Sequence, residues 1–275
     1  MAVEVSVIVA AYNEAECIGE CLESLCRQTH PSFEVIVVDD GSTDRTGGIA
    51  RQYGVRVLRQ AHSGPGLARN NAVPYASGEI LVFVDADMSF HPEFLSRLTE
   101  PIKRYGVCGT FTKEEYVANW GNPWARCWTI NCGLPDRKRH PVRPRRNTDS
   151  VFRAIRREDF LAAGGYDDMG YSEDHSLSRK LGRAALHAPG AICYHNNPGS
   201  LRDVYLSARW FGRGDQIRRD FATVIRHSLP FSLKNGLIRS VRRRSIHYPV
   251  FQVVYDFGVL VGMAERALRP KVHVK

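Results

Sequence analysis

Two aspartates separated by one residue have the side chains best placed to do chemistry in this sequence. Asp85-Ala86-Asp87 directly follows the apolar run 80–84, which is short and rich in branched residues and therefore predicts a buried strand. Because successive side chains on a strand alternate, Asp85 and Asp87 share one side at its carboxyl end, where open α/β sheets bind their ligands. Such carboxylates suit Mg²⁺ or Mn²⁺, with the phosphates of a substrate completing the coordination. The alternative is a solvated aspartate pair that caps a turn.

Two other predicted strands end in polar residues at the same edge of the sheet. The run 5–11 leads into Tyr12, Asn13 and Glu14, and the run 35–38 leads into Asp39 and Asp40. A carboxylate at this edge can accept a hydrogen bond from a ribose hydroxyl or a base N–H. No G-x-G-x-x-G follows the first strand, so an NAD-type pyrophosphate turn is not supported and diphosphate binding would depend on a metal.

The elements that must position these residues alternate between strand and helix. Over about the first 100 residues this alternation predicts an α/β fold with a mostly parallel sheet flanked by helices. Predicted strands are 5–11, 35–38, 55–58 and 80–84, with helices over 14–27, 43–53 and 64–76 between them. We then expect helices over 92–105, 157–163 and 173–183 and strands over 107–117, 150–156 and 191–195, whereas 119–147 has no clear period. From residue 201 onward the chain reads as mainly helical.

Composition excludes several classes of protein. The chain has 275 residues, 43% hydrophobic and 24% charged, which is typical of a soluble globular protein. Its net charge of +9 could serve nucleic acid, anionic lipid or a phosphate-bearing substrate, but no nucleic-acid-binding signature is present and we expect no such partner. The first residues lack the features of a signal peptide, so we expect a cytoplasmic protein. The seven cysteines form no C-x-x-C pair, which favours reduced thiols over a zinc site.

Several motifs occur together in a recognisable order. They are VSVIVAAYNE at 5–14, EVIVVDDGSTD at 34–44, GLARN at 66–70, GEILVFVDAD at 78–87, GGYD at 164–167 and SED at 172–174. In these stretches the chain resembles the glycosyltransferases of family 2, which have the GT-A fold and use nucleotide-diphosphate sugars. The resemblance covers roughly residues 3–200, and six such blocks in order are far more specific than any one of them.

The resemblance implies roles for individual residues of a donor site. Arg69 would lie near the diphosphate, although by itself it could equally be a helix-surface arginine. His195 would be a further metal or diphosphate ligand, although a lone histidine is more often structural. The remaining donor roles implied are a base and ribose pocket at Ala11, Tyr12 and Glu14, a base contact at Asp40 with Asp39 beside it, a ribose or metal contact at Asp85 with Ala86 in the same turn, and a metal ligand at Asp87.

The pair Glu173-Asp174 matches the acidic residues of the family's acceptor site. The chemistry needs a general base within hydrogen-bond reach of the attacking hydroxyl, and we assign it to Asp174, with Glu173 in support. With one general base on one side of the anomeric carbon and one leaving group on the other, the reaction is a single displacement that inverts this carbon. Alternatively, the two acids could stabilise a helix N-terminus. The resemblance also implies that Gly165 lets the backbone approach the donor sugar closely.

The last third of the chain leaves more alternatives open. Arg209, Trp210 and Arg213 resemble a family segment that would close over the diphosphate, or they belong to a plain amphipathic helix. The apolar run 248–264 is shorter than the ~20 residues of a spanning helix and contains Asp256. With its basic flanks, the segment 239–275 could contact the membrane peripherally on the cytoplasmic face, form a buried helix, or make a homodimer contact.

Together these observations predict an inverting, Mn²⁺- or Mg²⁺-dependent glycosyltransferase. The expected donor is a UDP-sugar, with GDP- and dTDP-sugars left open, and the acceptor is a glycan or a lipid-linked species. We expect residues 1–110 to form the nucleotide-sugar half and 111–200 the acceptor half of one GT-A domain, followed by a helical extension over 201–275. The basic loop 137–146 is either solvated or covers a phosphate-bearing ligand. A sugar-nucleotide nucleotidyltransferase and a catalytically silent scaffold are the alternatives; residues 11–14 lack the former's glycine- and arginine-rich loop with a lysine.

Overall fold

The computed structural model describes residues 3–141, 147–168, 170–214, 217–218 and 220–268. These form two compact units, one made of residues 3–116 and 147–195 and the other of residues 117–141 and 196–268. The segment 117–141 therefore groups with the C-terminal helices and not with the predicted acceptor half. The functional division at 110 and 200 stays a prediction. Part of the predicted basic loop, 142–146, and the end of the predicted membrane segment, 269–275, lie outside the described residues.

The first unit is an α/β sandwich around a sheet of eight strands. Its strands and those of a small second sheet are β1 (Val5–Ala11), β2 (Phe33–Asp39), β3 (Arg56–Arg59), β4 (Ile80–Asp85), β5 (Met88–Phe90), β6 (Gly109–Phe111), β7 (Glu115–Val117), β8 (Thr148–Asp149), β9 (Ala154–Arg156), β10 (Ala185–His187) and β11 (Cys193–His195). The large sheet has the order β3-β2-β1-β4-β9-β6-β10-β8, and the small one β5-β11-β7. Strands β1 to β4 run parallel, whereas β9 is antiparallel to both of its neighbours. The predicted α/β fold with a mostly parallel sheet is confirmed.

Helices cover the sheet, and a helical unit follows it. They are α1 (Ile18–Cys26), α2 (Thr46–Arg51), α3 (Pro65–Ala72), α4 (Phe94–Tyr105), α5 (Pro123–Asn131), α6 (Arg157–Ala162), α7 (Ser176–Leu181), α8 (Leu201–Arg213), α9 (Phe221–Arg226), α10 (Leu229–Arg243) and α11 (Tyr248–Leu268), with 3₁₀ turns at Val73–Tyr75 and Gly170–His175. Branched residues that alternate along β1 and β4 are buried on both faces of the sheet, as expected of parallel strands covered by helices. The predominantly helical character predicted beyond residue 201 is confirmed.

The register of the parallel strands determines where the site can form. Ala11 at the end of β1 pairs with Asp39 at the end of β2, and Ala10 pairs with Asp85 at the end of β4. The carboxyl ends of all three strands therefore meet at one edge, where polar residues follow each strand.

Several of the predicted elements differ from the structure, and the strand expected over 150–156 is reduced to β9. The strand expected over 107–117 is split into β6 and β7 of different sheets, because the Thr112 hydroxyl accepts a hydrogen bond from the Glu114 amide at 2.9 Å and turns the chain. The segment 119–147 contains α5, which begins where the Asn122 side chain caps the amides of Trp124 and Ala125. The helix expected over 173–183 is a 3₁₀ turn followed by α7.

In the second unit α11 packs against α8 and α10. The polar Asp256 is buried on α11 and accepts hydrogen bonds from Ser232 at 2.7 Å and Gln252 at 2.8 Å. One face of the run 248–264 is therefore buried in the second unit, whereas Val250 and Phe257 on the same run are exposed. A methyl group on Gly212 of α8 would collide with the Val259 carbonyl oxygen. Among the described residues, no helix is both long enough and apolar enough to cross a bilayer.

Candidate active site

The predicted metal ligands come together at the carboxyl end of β4. Asp85 ends that strand, and the antiparallel pairing of β5 and β11 places His195 opposite Met88, next to Asp87. One ligand atom from each of Asp85, Asp87 and His195 lies within 4.8 Å of the others. His195 Nε2 is 3.0 Å from Asp87 Oδ1, and two lone-pair atoms at that distance need a proton or a cation between them. This set of two carboxylates and one imidazole therefore fits the predicted divalent metal.

A buried carboxylate that the sequence analysis missed holds the other side of the imidazole. Glu115 Oε1 is 2.7 Å from His195 Nδ1, and its side chain is only 6% exposed. Arg153 donates to the second oxygen of Glu115 at 3.4 Å and lies 3.8 Å from Asp85 Oδ2. A carboxylate on Nδ1 fixes the tautomer that directs the Nε2 lone pair toward Asp87. The available signal was an acidic residue inside a predicted strand, where an uncompensated charge is costly.

Arg69 on α3 lies at the centre of the acidic residues. Its guanidinium donates to Asp85 at 2.6 Å, to Asp174 at 2.8 Å and to Glu173 at 3.3 Å. Its side chain is 5% exposed, so the interpretation of Arg69 as a surface arginine is excluded. Burial disfavours its charge, but Asp174 and Asp85 outweigh that effect and raise the pKa of Arg69 well above its usual range.

The carboxylates around Arg69 differ in their surroundings. Burial opposes the ionisation of Asp85, but the charges of Arg69, Arg153 and His195 hold its pKa well below its usual range. Burial and the neighbouring Asp174 instead raise the pKa of Glu173 to about 8.

The two acids of the predicted acceptor pair also differ in accessibility. The Asp174 side chain is 39% exposed and that of Glu173 only 5%. Glu173 Oε2 is buried without a hydrogen-bond partner among the described residues. Asp174 is therefore the one of the pair that an incoming hydroxyl can reach.

The residues predicted to bind the nucleoside form a second cluster at the ends of β1 and β2. Asp40 is buried and accepts hydrogen bonds from the amides of Ser63 at 2.9 Å and Gly64 at 2.8 Å. His62 Nδ1 is 2.9 Å from Asp40, and the His62 ring stacks on Tyr12 with centroids 3.7 Å apart. Asp40 thus organises the loop that holds His62 against Tyr12, and its contact with a base stays a prediction.

The remaining predicted donor residues have local structural partners. Asp39 accepts from the Ser42 amide at 2.9 Å, and Ala11 accepts from the Asp40 amide at 2.8 Å. The Glu14 amide donates to the Thr46 hydroxyl at 2.8 Å. Ala86 is buried in the turn between the two metal-site aspartates.

Gly165 has a structural reason to be glycine. Its φ is +73°, and a Cβ atom there would lie 2.6 Å from Asn70 Oδ1. Asn70 in turn accepts from the Tyr166 amide at 2.9 Å and donates to the Tyr166 carbonyl at 2.9 Å. The approach of Gly165 to a donor sugar stays a prediction.

The three predicted donor residues of α8 belong to the second compact unit. Arg209 Nε donates to both oxygens of Glu265 at 2.9 Å, and Arg213 Nε donates to Glu265 at 2.8 Å. Trp210 is partly buried on the same helix. Both arginines therefore have an anionic partner within their own unit, and their closure over a diphosphate stays a prediction.

Comparison with known proteins identifies the family. The model of the family described as glycosyl transferase family 2 matches residues 6–161, which is more than half of the chain, and the protein belongs to this family. It is 27% identical to the uncharacterized glycosyltransferase EpsJ of Bacillus subtilis over 92% of this chain and 84% of that protein. It is 41% identical to the glycosyltransferase AglE of Haloferax volcanii, over 38% of this chain and 36% of that protein. The protein is therefore a glycosyltransferase.

Solved structures share the fold. The mannosyltransferase PcManGT of Pyrobaculum calidifontis, in complex with GDP-Man and Mn²⁺, matches with a TM-score of 0.59 and 20% identity over 99% of this chain and 89% of that one. The S. aureus TarS fragment 1-349, in complex with UDP-GlcNAc, matches with a TM-score of 0.57 and 18% identity over 96% and 92% of the two chains. These likenesses confirm the GT-A fold.

Proposed function

We propose that this glycosyltransferase uses a divalent metal and inverts the anomeric carbon of a nucleotide-diphosphate sugar. The expected donor is a UDP-sugar, and the acceptor is a hydroxyl of a glycan or a lipid-linked species. The observation that carries the proposal is the connection through Arg69 between a three-residue metal-ligand set and the accessible acid Asp174. The neighbours solved with UDP-GlcNAc and with GDP-Man and Mn²⁺ support a donor of this class.

The reaction follows from the positions of the charged groups. The acceptor oxygen bonds to the anomeric carbon as its proton passes to Asp174, and the bond from that carbon to the diphosphate oxygen breaks with its electron pair. Arg69 donates a hydrogen bond to Asp174 at 2.8 Å, which holds this carboxyl group in position beside the site. Asp85, Asp87 and His195 would hold the metal, which supplies a Lewis acid for the departing diphosphate.

Family membership favours this reaction over nucleotidyl transfer. The curated relatives are named as glycosyltransferases, which favours sugar transfer over nucleotidyl transfer. The cytoplasmic location, the membrane contact and the homodimer remain predictions.

The proposal is tested in two steps. Thermal unfolding with UDP-, GDP- and dTDP-sugars, each with Mn²⁺ or Mg²⁺, should show stabilisation by the true donor, worth about 2.7 kcal/mol at a hundredfold excess over Kd. Sugar transfer is then measured for wild type and Asp87→Ala. We expect the variant to lose metal-dependent transfer, and unchanged transfer would exclude the metal assignment.

A further inference from the structure

The helices α9 and α10 bury their small and polar residues and expose their large apolar ones. On α10 the buried residues are Ser232 and Gly236, and Ser232 donates to Asp256 at 2.7 Å. A helix on the surface of a soluble protein normally has the opposite arrangement. The outward face of α10 therefore has no role in the packing of the second unit.

The exposed residues of α10 form a continuous apolar face. Leu233, Leu237 and Val241 are spaced four residues apart and therefore lie in one row along the helix. Leu237 is 59% exposed and Val241 80% exposed. Phe231 and Ile238, seven residues apart, widen this row and are 42% and 40% exposed.

The preceding helix extends the same kind of surface. Phe221 of α9 is 79% exposed, and Val224 and Ile225 of the same helix turn are 43% and 36% exposed. Thr223, which lies between Phe221 and Val224 in the sequence, is buried. We call the exposed apolar residues of α9 and α10 the outward apolar surface.

This surface is also strongly basic. Residues 221–250 contain six cations and no aspartate or glutamate. Exposed cations at Arg226, Lys234 and Arg242 lie among or beside the apolar residues. Lys and Arg can lay their aliphatic stems on apolar surface while their charges reach an anionic layer.

From this combination we propose that the outward apolar surface docks the protein onto an anionic lipid bilayer. Apolar residues beside flexible cations are what an interfacial helix presents to lipid headgroups and the outer acyl chains. A fluid lipid interface accommodates such a surface without matched hydrogen bonds. A symmetric contact with a second copy would set the same cations against each other, which disfavours that occupant.

The inference relocates the membrane contact expected from the sequence. One face of the run 248–264 is buried within the second unit, and the docking surface lies on α9 and α10, which overlap the expected segment 239–275 only at 239–243. The inference does not depend on the proposed transfer reaction.

The test is flotation of the full chain with two kinds of vesicle, phosphatidylcholine alone and equal parts of phosphatidylcholine and phosphatidylglycerol. We expect binding to the anionic vesicles only, and weaker binding as salt rises. The variant Leu237→Gln with Val241→Gln should weaken this binding by roughly tenfold or more, and Lys234→Gln with Arg242→Gln should do the same. Leu161→Gln, at a residue 56% exposed on α6, is the matched control and should bind as wild type.

Thermal unfolding and sugar transfer to a water-soluble acceptor should be unchanged in all these variants, which separates loss of docking from loss of folding or activity. Failure of wild type to bind anionic vesicles overturns the proposal. The proposal is also overturned if the Leu237→Gln, Val241→Gln variant binds anionic vesicles as strongly as wild type does. If wild type instead dimerises without lipid and this variant does not, the surface is a contact between two copies of the chain. If the surface captures an acidic protein in place of lipid, its occupant is that protein.

Discussion

Arg69 donates to Asp174 at 2.8 Å, and its other terminal nitrogen donates to Asp85 at 2.6 Å. The residue proposed as general base and a proposed metal ligand therefore share one buried cation. This arrangement joins the two halves of the reaction through a single side chain. It also means that the position of Asp174 depends on α3, a helix that contains no acidic residue of its own.

Removal of the Arg69 charge should destabilise the protein strongly. Arg69→Met removes the buried cation that Asp174 and Asp85 share, and we expect the free energy of unfolding to fall by about 3–5 kcal/mol. Urea unfolding at neutral pH measures this. Arg104→Met, at an exposed arginine on α4 with a side chain 66% exposed, should change stability by less than about 1 kcal/mol. Equal effects of the two substitutions would contradict the central role of Arg69.

Removal of the base should separate donor binding from transfer. Asp174→Asn keeps the shape of the side chain but cannot accept the acceptor proton, so we expect transfer to fall by about 10²–10⁴-fold. Stabilisation by the donor in thermal unfolding should persist. Full transfer activity in this variant would reassign the base.

The buried Glu173 should make stability depend on pH. Burial and the charge of Asp174 raise the pKa of Glu173 to about 8. Asp85 adds to this effect, and Arg69 opposes it. Tyr166 is a further titratable neighbour of Glu173. Below pH 4.5 the carboxyl is protonated in both the folded and the unfolded chain. As pH rises from 4.5 toward 8, the unfolded chain loses this proton while the folded chain keeps it, so the free energy of unfolding falls.

Glu173→Gln should remove that part of the pH dependence. The comparison is the difference in unfolding free energy between wild type and variant, measured by urea unfolding at several pH values across this window. We expect the unfolding free energy of the variant to increase relative to that of wild type as pH rises, by on the order of a few kcal/mol in total. A difference that stays constant with pH would show that Glu173 titrates normally.

Loss of Glu115 should weaken metal binding without removing a ligand. Glu115→Gln no longer holds the His195 imidazole with a negative charge, and we expect Mn²⁺ affinity to fall by about 10–100-fold. Titration of Mn²⁺ followed by electron paramagnetic resonance measures this without any transfer assay. Glu79→Gln, at an exposed glutamate in the same unit, is the control. Unchanged affinity in Glu115→Gln would reduce Glu115 to a packing role.

The grouping of Asp85, Asp87 and His195 could be predicted, but the network around it could not. The aspartates follow a strand whose apolar pattern is readable, and the resemblance to family 2 pointed to the histidine. Arg69 was expected near the diphosphate from the resemblance, but its contacts with Asp174 and Glu173, and the whole contribution of Glu115, depend on helix packing and strand pairing across long sequence separations. A pattern within one segment contains no information about such contacts, because burial of a charged residue depends on the partners that the fold supplies.

The C-terminal helices also show a limit of prediction from the sequence. Their existence could be predicted from periodicity, but periodicity places the apolar face of α10 inward, as in most surface helices. Ser232 faces inward because Asp256 on α11 needs donors. That requirement becomes visible only once the two helices are seen together.

The glycine contact between α8 and α11 restricts how this protein can diverge. A methyl group on Gly212 would collide with the carbonyl of Val259, and one on Gly262 with the carbonyl of Arg209. Because the two backbones already touch, even alanine at either position would push the helices apart and pull Arg209 away from Glu265. Descendants of this chain can therefore change either glycine only together with the helix that faces it.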